Sequence, residues 1–252
     1  MREPVGKSSK RRNGAGPSRP ASAAGRSRRR KYPSSDQLME VYERLLAAYG
    51  PRNWWPGDGD FEIVMGAILT QNTSWKNVER ALTRMRESGI WSFKAVHEAD
   101  LPVLADAIRP SGYYNSKARK LKEFALVVMD EFDGDANTLW SLETATLRER
   151  LLGIWGIGEE TADDIVLYVA EKPSFVIDKY TRRIVDRLGW RVAGDRYADY
   201  QALFMDRLPV DAPLYNEYHA LLDGHAARTC QTSPACNACC LADLCPTGQG
   251  PV

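Results

Sequence analysis

The chain has 252 residues, with 34 Lys or Arg against 33 Asp or Glu and a formal net charge of +1, which is enough for one large domain or two small ones around a substantial core. The balance hides an asymmetry: residues 1–31 hold eleven basic side chains and one acid, Glu3, so the remainder carries a net charge of about −9. A body this acidic cannot hold DNA by bulk charge and needs a local basic face, backbone amides or the detached arm.

Residues 1–35 are Gly, Ser, Pro, Ala and Arg with almost no large apolar side chain, and the composition predicts a disordered basic arm. Such a segment also has the character of an organelle transit peptide, but a DNA-tethering arm is the simpler reading. It lacks the apolar core of a secretory signal, and nothing in the chain approaches the roughly 20 apolar residues of a membrane span. A protein that is not secreted is expected: cytoplasmic or nucleoid in a bacterium, nuclear or organellar in a eukaryote. From Asp36 the pattern is helical. Leu38, Val41, Tyr42, Leu45 and Leu46 recur at spacings of three and four, the mark of one buried helix face. Phe61 to Leu69 is an apolar run, and Val78, Ala81, Leu82 and Met85 mark another helix. Further helices are predicted over Lys117–Phe132, Thr144–Leu152, Thr161–Val169, Asp178–Leu188, Ala198–Leu208 and Leu214–Leu222. Phe175-Val176-Ile177 is too short to found a sheet. The expected class is all-α.

Three places carry chemistry. Leu152-Gly153-Ile154-Trp155-Gly156-Ile157-Gly158 lies between two helical patterns. Its glycines allow a sharp turn and close approach to another surface. The amides of such a turn, at the start of a helix, suit a phosphate oxygen, while Ile157 would pin the hairpin to the body. Taken alone, a Gly-x-Gly turn is most often an ordinary helix connection. Asp178 follows an apolar segment and precedes a helix, so taken alone it reads first as an N-cap, though a carboxylate there also suits stabilising a sugar cation or deprotonating water. The five cysteines all fall in the last 23 residues, and Cys230-x5-Cys236-x2-Cys239-x5-Cys245 supplies four thiolates. An odd count packed into one tail argues for a metal site rather than a disulfide framework. Four thiolates suit either an iron–sulphur cubane or a structural zinc; Cys240 is the spare.

These sites, in this order, resemble the endonuclease III superfamily of helix–hairpin–helix DNA glycosylases over roughly residues 36–247. Trp155 stands where the family hairpin has Pro, and Ile177-Asp178 matches its catalytic segment. Tyr114-Asn115-Ser116-Lys117-Ala118 and Leu69-Thr70-Gln71-Asn72-Thr73 also match. The resemblance implies two helical domains with the active-site cleft between them: 56–172 as a helical barrel domain with the hairpin, and 36–55 plus 173–252 as a second domain with a 4Fe-4S cluster on Cys230, Cys236, Cys239 and Cys245. The first gap of the cysteine motif is one residue shorter than in the family.

Bifunctional members carry a lysine two residues beyond the second hairpin glycine. Glu160 occupies that position here, and a carboxylate cannot form an imine. Lys179, the neighbour of Asp178, is expected to point elsewhere on its helix. Within the superfamily the 3-methyladenine DNA glycosylase III branch is the nearest match, on Arg109-Pro110-Ser111-Gly112-Tyr113-Tyr114-Asn115, Asp178-Lys179-Tyr180 and Trp54-Trp55-Pro56. The implied protein is a monomeric, monofunctional glycosylase acting on double-stranded DNA with a damaged base. Asp178 is its catalytic residue. Gly156, Ile157 and Gly158 bind DNA, and Gln71 fills the space left by the extruded base. Trp54, Trp55 and Trp75 form the base pocket, with Tyr113 and Tyr114 as weaker candidates. Glu160 would line the same pocket and favour a cationic base. His97, His219 and His225 are assigned structural roles, and Asp163 and Asp164 a solvated or capping helix face. The alternatives are a bifunctional glycosylase and lyase, or a DNA-binding module without catalysis.

Overall fold

The computed structural model describes residues 31–250; the expectations placed on the arm up to residue 30 lie outside them. Among the described residues the architecture is helical, and apart from an isolated bridge between Lys31 and Trp190 no strand pairing occurs. Residues 31–35, expected to belong to the disordered arm, are ordered. Ser34 accepts from the Gln37 amide while the Gln37 side chain accepts from Ser34 N–H, a capping box that starts α1 (Ser35–Tyr49).

Two apolar clusters organise the helices. The first is built by α2 (Asp60–Leu69), α3 (Trp75–Glu87), α4 (Phe93–Glu98), α5 (Leu101–Ala107), α6 (Tyr114–Glu131), α7 (Ala136–Ser141), α8 (Thr144–Leu152) and α9 (Glu159–Tyr168). The second gathers α1 with α10 (Lys179–Arg187), α11 (Tyr197–Met205) and α12 (Ala212–Arg228). α12 runs six residues beyond its expected end, because Gly224 is an interior position packed against the Arg52 guanidinium.

Helix α9 serves both clusters. Ala162, Ile165 and Val166 join the first, Leu167 and Tyr168 the second, and every position from Thr161 to Tyr168 is buried. Asp163 and Asp164 are therefore not on a solvated or capping face: they are 0% and 5% exposed. The pairing that a buried charge requires is present at Asp163. Arg148 of α8 grips both its oxygens at 2.8 and 3.0 Å, and the Ser174 hydroxyl and Gln201 amide of the opposite cluster donate to it at 2.5 and 3.1 Å. Gln201 also donates to the Phe175 carbonyl, and Tyr197 O–H accepts from Ile177 N–H at 3.1 Å. This network fixes the extended segment leading to Asp178 against the helices that carry the hairpin.

Candidate active site

The hairpin sits between α8 and α9. Gly156 has φ +86°, a region that disfavours side chains, and a Cβ there would lie 2.6 Å from the Lys120 side chain of α6. Gly158 caps α9 with nothing within 4 Å of where its Cβ would be, so the backbone is open on that side. Ile157, only 6% exposed, plugs into the first cluster and does not line the cleft. Trp155 remains outside at 45% exposure, with the Arg119 guanidinium 3.9 Å above its ring.

Asp178 is the N-cap of α10, and its Oδ1 accepts from Thr181 N–H at 2.6 Å. The capping bond fixes the carboxylate without using its second oxygen, so a capping role and a chemical one are compatible. Asp178 lines a cleft of about 880 Å³ together with Glu160, Gly156, Gly158, Gln71 and the tryptophans 54, 55 and 75. The structure thus brings these sequence-selected residues together. Tyr113 and Tyr114 are not among the lining residues; Tyr113 is 74% exposed at the start of α6.

The tryptophans form a triangle with ring centroids 5.4 to 5.6 Å apart, and Tyr168 packs edge-on against Trp55 at 5.4 Å. Gly66 of α2 makes room for it: a Cβ there would meet the Trp55 ring at 3.2 Å. Gln71, just past α2, is held from both sides. Its Nε2 donates to Thr161 Oγ1 at 2.9 Å, and Lys120 Nζ donates to its Oε1. Lys117 supports the same corner, since its buried ammonium donates to the Leu69 and Ser111 carbonyls at 2.8 and 2.7 Å. Burial pushes that amine down to about 8.

Sequence reasoning missed Lys120, Asp164, His219 and Asp223, which also line the cleft. Only the proximity of Lys117 and Lys120 to a family motif could have signalled the first. Lys179 is a correction: it lines the cleft rather than pointing elsewhere, next to Asp178 at the start of α10. The cleft's charge is lopsided toward acid. Burial, and then the Asp178 charge, push the Glu160 carboxyl up to about 7, against the opposing pull of Lys179 and Arg182. Burial likewise raises Asp223.

The cysteines gather at the far end of α12. Cys230, Cys236, Cys239 and Cys245 line one small pocket, and Cys240 does not. Arg187 organises the loop from α10, donating to Cys230 Sγ at 3.1 Å and to the carbonyls of Cys230, Gln231 and Thr232. His225 packs under it, with Nδ1 bonded to the Tyr49 hydroxyl at 2.8 Å and Nε2 3.7 Å from Cys239 Sγ.

An all-α frame with a glycine hairpin opening onto a carboxylate- and tryptophan-lined cleft is the architecture of a helix–hairpin–helix protein. The profile of the HhH-GPD superfamily base excision DNA repair protein matches residues 65–209. A Methanocaldococcus jannaschii protein, a DNA repair glycosylase by name alone, is 38% identical over 211 residues, covering 83% of this chain and 96% of that one. Endonuclease III of Sulfolobus acidocaldarius is 33% identical over 187 residues, 73% of this chain and 81% of its own. Among solved structures, H. pylori 3-methyladenine DNA glycosylase bound to 1,N6-ethenoadenine superposes with a TM-score of 0.66 at 27% identity, covering 78% of this chain and 98% of that one. The chain belongs to the HhH-GPD superfamily of base excision DNA repair proteins, as one of its DNA glycosylases.

Proposed function

We propose that this protein is a monofunctional DNA N-glycosylase that hydrolyses the glycosidic bond of an extruded damaged base in double-stranded DNA, with alkylated adenine such as 3-methyladenine as the preferred class, and leaves the strand intact. The observation that carries this reading is the meeting of Asp178 and Glu160 in one cleft with three tryptophans, Glu160 occupying the position where a lyase lysine would stand. The hairpin amides take the phosphate beside the lesion and fix register. Gln71, tethered to α6 and α9, enters the stack where the base has left, offsetting part of the few kcal/mol that extrusion costs. The tryptophan faces receive the electron-poor base, which already carries positive charge and departs as a neutral molecule with the glycosidic electron pair. Asp178 stabilises the sugar cation; water then adds at C1′ and gives its proton to the Asp178 carboxylate. The adenine-derived ligand of the H. pylori neighbour supports this substrate class.

A second reading has its own support: Lys120 and Lys179 both line the cleft, and burial lowers the Lys120 amine, which favours a nucleophile. Against it, Lys120 is engaged by Gln71 and by the hairpin. Incubating the protein with methylated duplex separates the two. Expected are released base, no strand breaks without added alkali and no borohydride-trapped adduct, with Asp178→Asn slowing release about a hundredfold or more. Breaks and a trapped adduct would overturn the monofunctional reading.

We further assign a 4Fe-4S cluster to Cys230, Cys236, Cys239 and Cys245. The four side chains line one pocket in the Cys-x5-Cys-x2-Cys-x5-Cys order that resembles the cluster motif of the endonuclease III superfamily. When bound, the cluster would brace the loop through four iron–thiolate bonds. Cys236→Ser is expected to lose iron and sulphide while Cys240→Ser keeps both; a colourless wild-type protein with stoichiometric zinc would refute the cluster.

A further inference from the structure

Asp164 has no part in the hydrolysis described above, yet it lines the same cleft. It lies one helical turn along α9 from Glu160, on the same face, and is 5% exposed. Unlike Asp163, it makes no hydrogen bond or ion pair with any described residue. The groups that face it are acidic: Glu160 and Asp163 on its own helix, Asp178 at the start of α10 and Asp223 on α12. Tyr168 and Tyr197 also lie within electrostatic reach of it, and the Tyr168 hydroxyl is bonded to His219 Nδ1 at 2.5 Å. Lys179 and Arg182 bear on Glu160 above it. Burial first, and these like charges second, push the Asp164 carboxyl well above the usual carboxylate range, which favours its protonated form.

A protonated carboxyl differs from a carboxylate in what it can recognise. It presents an O–H donor beside a carbonyl acceptor, whereas the ion only accepts. A purine edge with a ring-nitrogen acceptor next to an exocyclic amino donor, such as N7 and N6 of adenine, is its complement. The tryptophans can select electron-poor rings but read no hydrogen-bonding edge. We propose that Asp164, a buried carboxyl without a protein partner on the cleft wall one turn from Glu160, is a specificity-determining residue that hydrogen-bonds as donor and acceptor to the amidine edge of the extruded adenine lesion. This rests on the reading that the cleft receives an extruded base.

The test is single-turnover release of 3-methyladenine from methylated duplex between about pH 6 and 9, in a Glu160→Gln background that removes the neighbouring titration. With Asp164 present, release falls toward high pH as the donor proton is lost. Asp164→Asn keeps a donor and an acceptor; it should retain release within about threefold at low pH and lose the falling limb. Asp164→Leu should release at least tenfold more slowly throughout, with its melting transition retained. A falling limb that persists in Asp164→Asn overturns the proposal, as does a Leu variant that releases at the parent rate; if the Leu variant fails to fold, the Asn profile decides alone. Wild-type protein that releases no base from any alkylated duplex defeats the reading of the cleft and this proposal with it, whereas a failure confined to the variants leaves that reading standing.

Discussion

Asp163 and Asp164 are neighbours on α9, both aspartates, and both buried, but they look into different parts of the molecule. Asp163 faces the junction of the two clusters, where Arg148, Ser174 and Gln201 answer its oxygens with donors. Asp164 faces the cleft, where Glu160, Asp178 and Asp223 supply only further negative charge. A fold left to optimise stability pairs its buried charges or omits them. Where a buried ionisable group is instead left without a partner in a concave site, the arrangement points to a ligand that completes it. The boundary between scaffold and site in this protein therefore runs through one helix, between two adjacent residues.

The comparison breaks most easily at Asp163. Asp163→Ala leaves the Arg148 guanidinium, whose side chain is 26% exposed, without its bidentate partner, and should cost about 2–4 kcal/mol of stability in urea unfolding. Removing Arg148 as well should recover part of that loss, since the remaining charge disappears. Asp164→Asn should leave the unfolding midpoint unchanged or raise it, because no protein contact is lost and an ionisable group leaves the interior. Equal losses at the two positions would erase the distinction between them.

The sequence made the long helices legible because α1, α3 and α6 bury one face each and repeat their apolar residues accordingly. Helices α4, α5 and α7, with six or seven residues each, are too short to show a period and were not predicted. The hairpin glycines, Asp178 and the cysteines could be singled out because each residue type has a narrow repertoire. The two aspartates of α9 were misread for a definite reason. Asp-Asp in a helix looks like a solvated stripe unless both faces of that helix are known to be covered, and only the packing of two clusters against α9 reveals that. Lys120 and Lys179 were hidden similarly, since their place at the cleft comes from the packing of helices distant in sequence and not from their spacing along the chain.

Glu160 offers a smaller and sharper test, because it shares the acidic environment of Asp164 but reaches solvent at the cleft mouth. Burial, followed by the Asp178 charge, raises its carboxyl from 4.5 to about 7 in the folded protein. Between those two values the folded chain holds a proton that the unfolded chain has released, so stability falls as pH rises through the window and is level above it. Glu160→Gln removes the titration. Its melting temperature should match wild type near pH 4 and exceed it modestly above about pH 7, by an amount that solvent screening keeps small. The second cause can be isolated. In an Asp178→Asn background the advantage of the Gln variant should shrink, since one of the charges opposing ionisation is gone. An advantage unchanged by Asp178→Asn would mean that the two carboxyls do not sense each other. A Gln variant less stable than wild type at high pH would mean that Glu160 is paired after all, and the cleft would then resemble the Asp163 side of the helix more than the Asp164 side.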